Sequence, residues 1–498
     1  RIEELFNNRE LLNHLKDNLK QIVDIDRIVA KLSTNKVNPK DLINLSNSLN
    51  CILNIRGIIN RSTPELDGLL NNLMDTSQVE SIINNTIKTE PAINLNKGNF
   101  IKRGFLEELD KLHDISNMGS DWLVKFQEEE REKTNISSLK IGYNKVFGYY
   151  IEITKTHNNK IPENYIRKQT LTNAERYFTE ELKEYETQIL SAQDKINTLE
   201  LELFNDLRNK LLLKIEPMLN NSIIISKIDI ASSLADISIN NEYIKPIISN
   251  DRGITIRDSR HPVIEQLLPL GEDFIANDIY LNSKEKQIAI ITGPNMSGKS
   301  TYLRQIGLIV IMAQIGSFVP ASYAEIGMID KLFTRVGASD NLAKGESTFL
   351  VEMNETANIL NNATNRSLII LDEIGRGTST YDGLSIAWAI TEFIHNNKES
   401  CAKTLFATHY HELVELANSL EKGFNLNVDV KEINDEVVFL RKIVDGGTDK
   451  SYGIYVAKMA GLPKEVILRA NEILNSLSLN GEQTKNIQEY SSKRIKDS

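Results

Sequence analysis

"ITGPNMSGKSTYLRQIG", Ile291 to Gly307, decides how this chain is read. Gly293 and Gly298 stand five apart, and Lys299 and Ser300 follow the second glycine. The apolar run Ile288 to Ile291 precedes the loop, and a helical spacing of apolar residues follows it. Glycines let successive backbone N–H groups close around phosphate oxygens. The start of a helix adds the positive end of its dipole. Gly293, Pro294, Asn295, Met296, Ser297, Gly298, Lys299, Ser300 and Thr301 are therefore expected to cradle a nucleotide. Lys299 would reach the β- and γ-phosphates, and the Ser300 hydroxyl would ligate Mg²⁺.

Such a loop needs an acidic partner. "LIILDE" ends in Asp372 and Glu373 at the carboxyl end of an apolar strand. Asp372 suits the shell of Mg²⁺, and Glu373 suits a catalytic base that activates water. Together with Lys299 they point to hydrolysis of a nucleoside triphosphate. His409 follows another apolar run, "TLFAT", and is placed to sense a γ-phosphate. Gly345-Glu346-Ser347 opens a helical pattern, which fits either a phosphate contact by Ser347 or an ordinary capped helix. "IGRGTSTYDG" after Glu373 is expected to be a flexible loop beside the nucleotide. His409, His411 and Glu412 are not expected to hold zinc, because the chain has seven histidines and no cysteine near them.

Outside the loop, the pattern "QIAIIT", "RSLIILDE" and "TLFATHY", each followed by a helical stretch, predicts an α/β domain over 250–445. Residues 1 to about 90 read as all-helical, with "LLNHLKDNLKQIVDIDRIVAKL" as one amphipathic helix broken at Asn38-Pro39 and Asp41 capping the next. A helical pattern from Phe105 leads into "SSLKIGYNKVFGYYIEIT", which alternates and predicts a hairpin around Asn144-Lys145. After Thr172 the helical period returns through Phe178, Leu182, Tyr185, Ile189, Ala192, Ile196, Leu199 and Leu203, a seam for a lengthwise partner. The expected shape is a long two-helix arm with a small β-rich tip. The tail "SYGIYVAKMAGLPKEVILRANEIL" reads as two short helices joined at Gly461-Leu462-Pro463.

Composition narrows the classes. The 498 residues are too many for one core, and no apolar run is long enough to span a membrane. Cys51 and Cys401 cannot build a disulfide framework, which suits a reducing cytoplasm. The net charge of −10 opposes general nucleic-acid binding. The tip from Ser137 to Thr170 is the exception: Lys140, Lys145, Lys155, Lys160, Arg167 and Lys168 stand against only Glu152 and Glu163, a net of +4. A basic patch there suits contact with a DNA backbone without base reading. Arg1 begins inside a helical pattern, so the chain is expected to be a fragment.

At this point a resemblance is plain. "TGPNMSGKSTYLRQ", "GASDNLAKGESTFLVEMNETANIL", "LDEIGRGTSTYDGLSIAWAI" and "FATHYHEL" resemble the ATPase domain of the MutS family of DNA mismatch-recognition proteins. "GYNKVFGYYIEITK" and "QTLTNAERY" resemble its clamp. The resemblance covers the whole chain and implies a multidomain α plus α/β fold. That fold would have a helical core and lever (1–135), a DNA clamp tip (136–172), the returning lever helix and core (173–249), an ABC-like P-loop ATPase domain (250–445) and a C-terminal dimerising segment (446–498). It implies ATP and Mg²⁺ as cofactors, and Phe274 in "DFIAND" stacked on adenine. It also implies a homodimer in which Ser347 of one subunit reaches the other's γ-phosphate. Partners would be double-stranded DNA and a downstream repair factor of the MutL type, with a cytoplasmic, nucleoid-associated location in a bacterium. The family's mismatch-reading and connector domains would precede Arg1, so this chain is expected to clamp DNA and hydrolyse ATP without preferring mismatches. Rivals are a relative that holds recombination junctions, an ABC transporter ATPase, and an architectural clamp without turnover.

Overall fold

The computed structural model describes residues 1–58, 64–95, 98–144, 146, 148–337, 348–397, 399–433, 436–448 and 452–479. The chain divides into two compact units, Arg1–Ser233 and Leu234–Ser498. Among the described residues no helix is long and apolar enough to cross a membrane.

The first unit is helical, with one small sheet. The long amphipathic stretch at its start is two helices, Arg9–Leu19 and Ile25–Ser33, not one. Asp24 ends the first possibility of continuity, because its side chain caps Arg27 N–H at 2.9 Å. The next helix, Pro39–Ile58, is capped by Asn38 rather than Asp41. Asn38 Oδ1 accepts from Asp41 N–H at 2.9 Å, and Asp41 returns a bond to Asn38 N–H at 3.2 Å. Leu15, Leu32, Leu42, Leu45 and Leu49 are fully buried between these helices. Each such leucine contributes about 1.5–3 kcal/mol.

The arm consists of the helices Glu107–Thr134 and Glu180–Leu212. Trp122 stacks on Tyr185 with ring centroids 3.6 Å apart, and His113 lies 3.7 Å from Glu200. The pairs run in opposite directions along the two helices, so the helices are antiparallel. The second is 33 residues, about 50 Å. It starts at Glu180, later than its periodicity suggested. Ala174–Phe178 is a strand instead, because Tyr177 is needed opposite Ile151 in the sheet core. The seam also drifts. Leu199 and Leu203 are only partly buried, and Glu200, Phe204, Leu207 and Leu211 take the inner face.

Four antiparallel strands, β1 (Lys140–Asn144), β2 (Gly148–Thr154), β3 (Ile166–Thr170) and β4 (Ala174–Phe178), form the arm's sheet in the order β1-β2-β4-β3. The expected hairpin is β1-β2.

The second unit holds two sheets. β5 (Ile247–Ser249), β6 (Ile254–Ser259), β7 (Asn277–Leu281) and β9 (Tyr323–Gly327) form one, in the order β5-β9-β6-β7. The larger sheet uses β8 (Ile288–Thr292), β10 (Leu332–Arg335), β11 (Leu368–Asp372), β12 (Lys403–Ala407), β13 (Gly423–Ile433) and β14 (Glu436–Asp445). Its order is β10-β11-β12-β8-β13-β14, parallel except for the edge strand β14. Alternate residues of each central strand face two separate cores. Ala289, Ile291 and Ile370 meet the helix Lys299–Gln314 and the smaller sheet. Ile288, Ile290 and Ile369 meet the helices Thr380–Asn396 and Glu412–Ser419. A sheet covered on both faces explains why its strands are continuous apolar runs. It leaves the strands' carboxyl ends as the place for polar chemistry.

Candidate functional site

The loop after β8 is a turn of unusual backbone. Gly293 and Gly298 have φ of +136° and +105°, and Met296 between them has +67°. A Cβ on Gly293 would press on Val428 at 3.3 Å. The helix begins at Lys299, so its first N–H groups open onto the loop. Lys299 is 5% exposed, and its Nζ donates to the Gly293 and Pro294 carbonyls at 2.6 and 2.9 Å. Burial pushes its pKa below the usual lysine range, while Glu373 and Asp372 pull it back up. Ser297 is buried too, and its Oγ has no hydrogen-bond partner among the described residues.

β12 lies between β8 and β11, which sets the lateral spacing of the site. Glu373 N–H donates to the Ala407 carbonyl at 2.9 Å, and Thr408 N–H to the Ile291 carbonyl at 3.0 Å. The ends of three strands are thereby tied level, carrying the loop, the acidic pair and His409. Burial raises the Asp372 pKa above the usual carboxylate range, the Ser300 hydroxyl bonded to it lowers it, and Glu373 raises it further. The Oδ1 of Asp372 has no hydrogen-bond partner among the described residues. A buried carboxylate oxygen left open beside a serine hydroxyl fits a hard divalent cation. Among the described residues there is no His, Cys, Asp and Glu cluster of the zinc kind. His411 instead bonds the Thr448 carbonyl at 2.9 Å.

Glu373 has φ of +54°, and its side chain pairs with Arg376. Burial lowers the His409 pKa, Glu373 raises it, and Arg376 and Lys299 lower it further. His409, Glu373, Lys299 and Arg376 thus share one electrostatic neighbourhood. Phe274 lines a cleft of about 300 Å³ with Met296, Gly298, Thr301 and Arg441. The cleft opens beside the phosphate loop and suits a flat apolar group. Ser347 lies outside the described residues.

Sequence reasoning missed four residues here. Arg376 was inside a loop read as flexible from its glycines. Gly375 in that loop is held by Glu352 and Tyr410, so the loop is anchored. Arg441 enters the cleft from β14, 140 residues from the phosphate loop, and no local signal marks it. Its carbonyl accepts from Asn277 Nδ2 at 3.0 Å.

In the arm's sheet, Lys140, Lys155, Lys160 and Arg167 are exposed and Lys168 is half-buried. Lys145 lies outside the described residues. Three of the others are engaged. Arg167 is 3.7 Å from Glu175, Lys160 donates to the Asn135 carbonyl at 3.2 Å, and Lys168 lies over the Phe178 ring. Of the tyrosines, Tyr165 and Tyr177 are buried in the sheet's core, whereas Tyr143 is 50% exposed.

The second unit is of the phosphate-loop α/β class: a parallel sheet, a glycine loop after a central strand, and an acidic pair on a strand beyond its neighbour. Comparison places it more closely. Residues 289–478 match the family description MutS domain V, and residues 104–195 match MutS family domain IV. The chain belongs to the MutS family. It is 51% identical over 481 residues to the DNA mismatch repair protein MutS of Clostridium tetani, covering 96% of this chain and 54% of that protein. The proteins of the same name from Salinibacter ruber and Parabacteroides distasonis are 50% and 51% identical, with 52% and 56% of their lengths covered. They span 96% and 97% of this chain. The chain therefore spans about half the length of the curated relatives it matches.

Proposed function

We propose that this chain is the ATP-hydrolysing DNA clamp portion of a mismatch-repair protein. The observation that carries the reading is the conjunction at the strand ends. Lys299 is buried in the phosphate loop, and Asp372 and Glu373 lie close enough to act on its charge. Gly293 to Thr301 would hold the triphosphate, Phe274 the adenine and His409 the γ-phosphate side. Ser300 and Asp372 would hold Mg²⁺, which when bound offsets the charge of the phosphate oxygens. Glu373 would orient and deprotonate the attacking water. Its pairing with Arg376 means that this ion pair must open or shift for the carboxylate to serve as a base.

The names of the relatives support mismatch repair over a junction-holding role. The remaining parts of the reading rest on the resemblance. They are the ABC-like character of the ATPase domain, a homodimer with Ser347 acting across it, and a cytoplasmic setting with a MutL-type partner. The division into helical core and lever, clamp, ATPase domain and C-terminal dimerising helices belongs to the same proposal. DNA contact through Lys140, Lys155 and their neighbours rests on exposure and charge. The test is ATP turnover by the purified chain with and without Mg²⁺ and double-stranded DNA. Mg²⁺-dependent turnover is expected. Tight ATP binding without any turnover would leave an architectural clamp as the better reading.

A further inference from the structure

We propose that Glu352 is a positioning residue for Glu373, acting through the peptide of Gly375; this rests on the reading of Glu373 as the base. Glu352 stands in the helix Thr348–Asn362 and is 5% exposed. Its Oε1 accepts from Gly375 N–H at 2.7 Å. From the other side, the buried Tyr410 hydroxyl donates to the Gly375 carbonyl at 3.0 Å. The third hold is steric. Gly375 has φ of +87°, and a Cβ there would come within 2.6 Å of the Gly383 carbonyl oxygen. Both polar groups of this peptide unit's residue are thus tied by buried side chains, and its Cα is pressed on the helix Thr380–Asn396.

Gly375 is two residues from Glu373. The Glu373 N–H is fixed to β12, and its backbone is in the left-handed region. Few residues hold that conformation without outside restraint. Pinning the loop on both sides of Ile374 supplies the restraint. The charge of Glu352 matters for the same reason. A carboxylate accepting an N–H bond binds it more strongly than a neutral acceptor. Beside it in the interior is Arg335, 6% exposed, whose Nη2 lies 3.7 Å away. Arg335 in turn meets Glu355 at 3.2 Å. A buried ion pair is a poor device for stability alone. A fixed acceptor aimed at the loop that carries the base gives it a function.

Turnover and thermal unfolding of the whole chain test this, using Glu352→Ala, Glu352→Gln and the double variant Glu352→Leu/Arg335→Met. Glu352→Ala is expected to lower kcat about 10- to 100-fold, the scale of a misplacement of about 1 Å. KM for ATP should stay within about threefold, since the phosphate loop is untouched. Glu352→Gln keeps a weaker, neutral acceptor for Gly375 and should recover part of kcat, leaving it between Glu352→Ala and the wild type. The double variant removes both buried charges, so it should recover thermal stability but not kcat. If Glu352→Ala fails to fold, the Gln variant against the double variant decides. A double variant with wild-type kcat, or a folded Glu352→Ala with wild-type kcat, overturns the positioning role. A wild-type chain that never hydrolyses ATP overturns the reading of Glu373 itself, a separate outcome.

Discussion

The arm and the phosphate site both bury carboxylates, and they treat them oppositely, although the arm too holds two buried nitrogens without a hydrogen-bond partner among the described residues, His113 Nε2 and Arg208 Nη1. In the arm each buried carboxylate is closed off. Glu130 accepts from the Tyr165 hydroxyl and from Lys133 at 2.8 Å. Glu175 accepts from the Tyr177 hydroxyl, and burial together with that bond pushes the Tyr177 phenol up to about 12. Glu200, 0% exposed, accepts from the N–H groups of Asn99 and Ile101. At the phosphate site, Asp372 Oδ1 and Ser297 Oγ are buried without a hydrogen-bond partner among the described residues, and Lys299 donates to the Gly293 and Pro294 carbonyls. Satisfied networks make a region rigid. Open buried groups are tolerated only where the surrounding fold fixes them, and they are ready for a charged ligand. By that contrast the arm is a strut and the loop is a receptor.

The sharpest way to break the contrast is at Glu373. Glu373→Ala should slow ATP turnover by about 10²–10⁴-fold while leaving ATP binding intact. DNA binding by the arm should not change. Near wild-type turnover would remove the base from the site.

The next effect is on the arm's surface. In the arm's sheet, Lys140 and Lys155 are exposed, and no side-chain partner is seen for either among the described residues. Reversing both charges should lower the slope of log affinity against log salt by about 2, at roughly 0.9 per phosphate contact. Perfect and mispaired duplexes should weaken alike, and turnover without DNA should be unchanged. A changed preference between the duplexes would mean that this sheet reads bases.

Two stability measurements compare the regions directly. Glu200→Ala strands two N–H donors inside the arm and should cost about 1–3 kcal/mol, seen as a lower thermal midpoint. Asp372→Asn should behave the other way. Burial raises the Asp372 pKa, so the fold opposes its ionised form. That penalty is fully present above the folded pKa and lifts as pH falls through it, vanishing below the ordinary carboxylate value. At about pH 7 the Asn variant should therefore melt at or above the wild type, and the difference should close in acid. A large fall in midpoint would make Asp372 a structural carboxylate like Glu200.

The smallest effect is at His409. Its imidazole should titrate below the usual histidine value, and Glu373→Ala should lower it further by removing the carboxylate that favours imidazolium. An NMR titration of both chains reads this. A value unchanged by Glu373→Ala would separate His409 from the site.

Much of this protein was legible in the sequence because its signals are local. Gly293 to Ser300 announces a phosphate loop since the turn itself demands glycine, and the apolar runs at β8, β11 and β12 announce buried parallel strands. The Asn144-Lys145 region announced a hairpin for the same reason. Other features depended on partners distant in the chain. Ala174–Phe178 carries residues that fit a helix seam equally well, and only pairing with β2 and β3 made it a strand. Glu200 took the inner face from Leu199 because the 98–101 turn offered two N–H donors. The sequence by itself determined the family, the sheet's parallel strands and which residues, Lys299, Asp372 and Glu373, gather at the strand ends. Tertiary structure alone decided what holds them. Glu352, Tyr410 and Gly383 hold Gly375, and Arg441 lines the cleft of Phe274, each from a distant part of the chain, and contacts across such separations leave no period or motif behind.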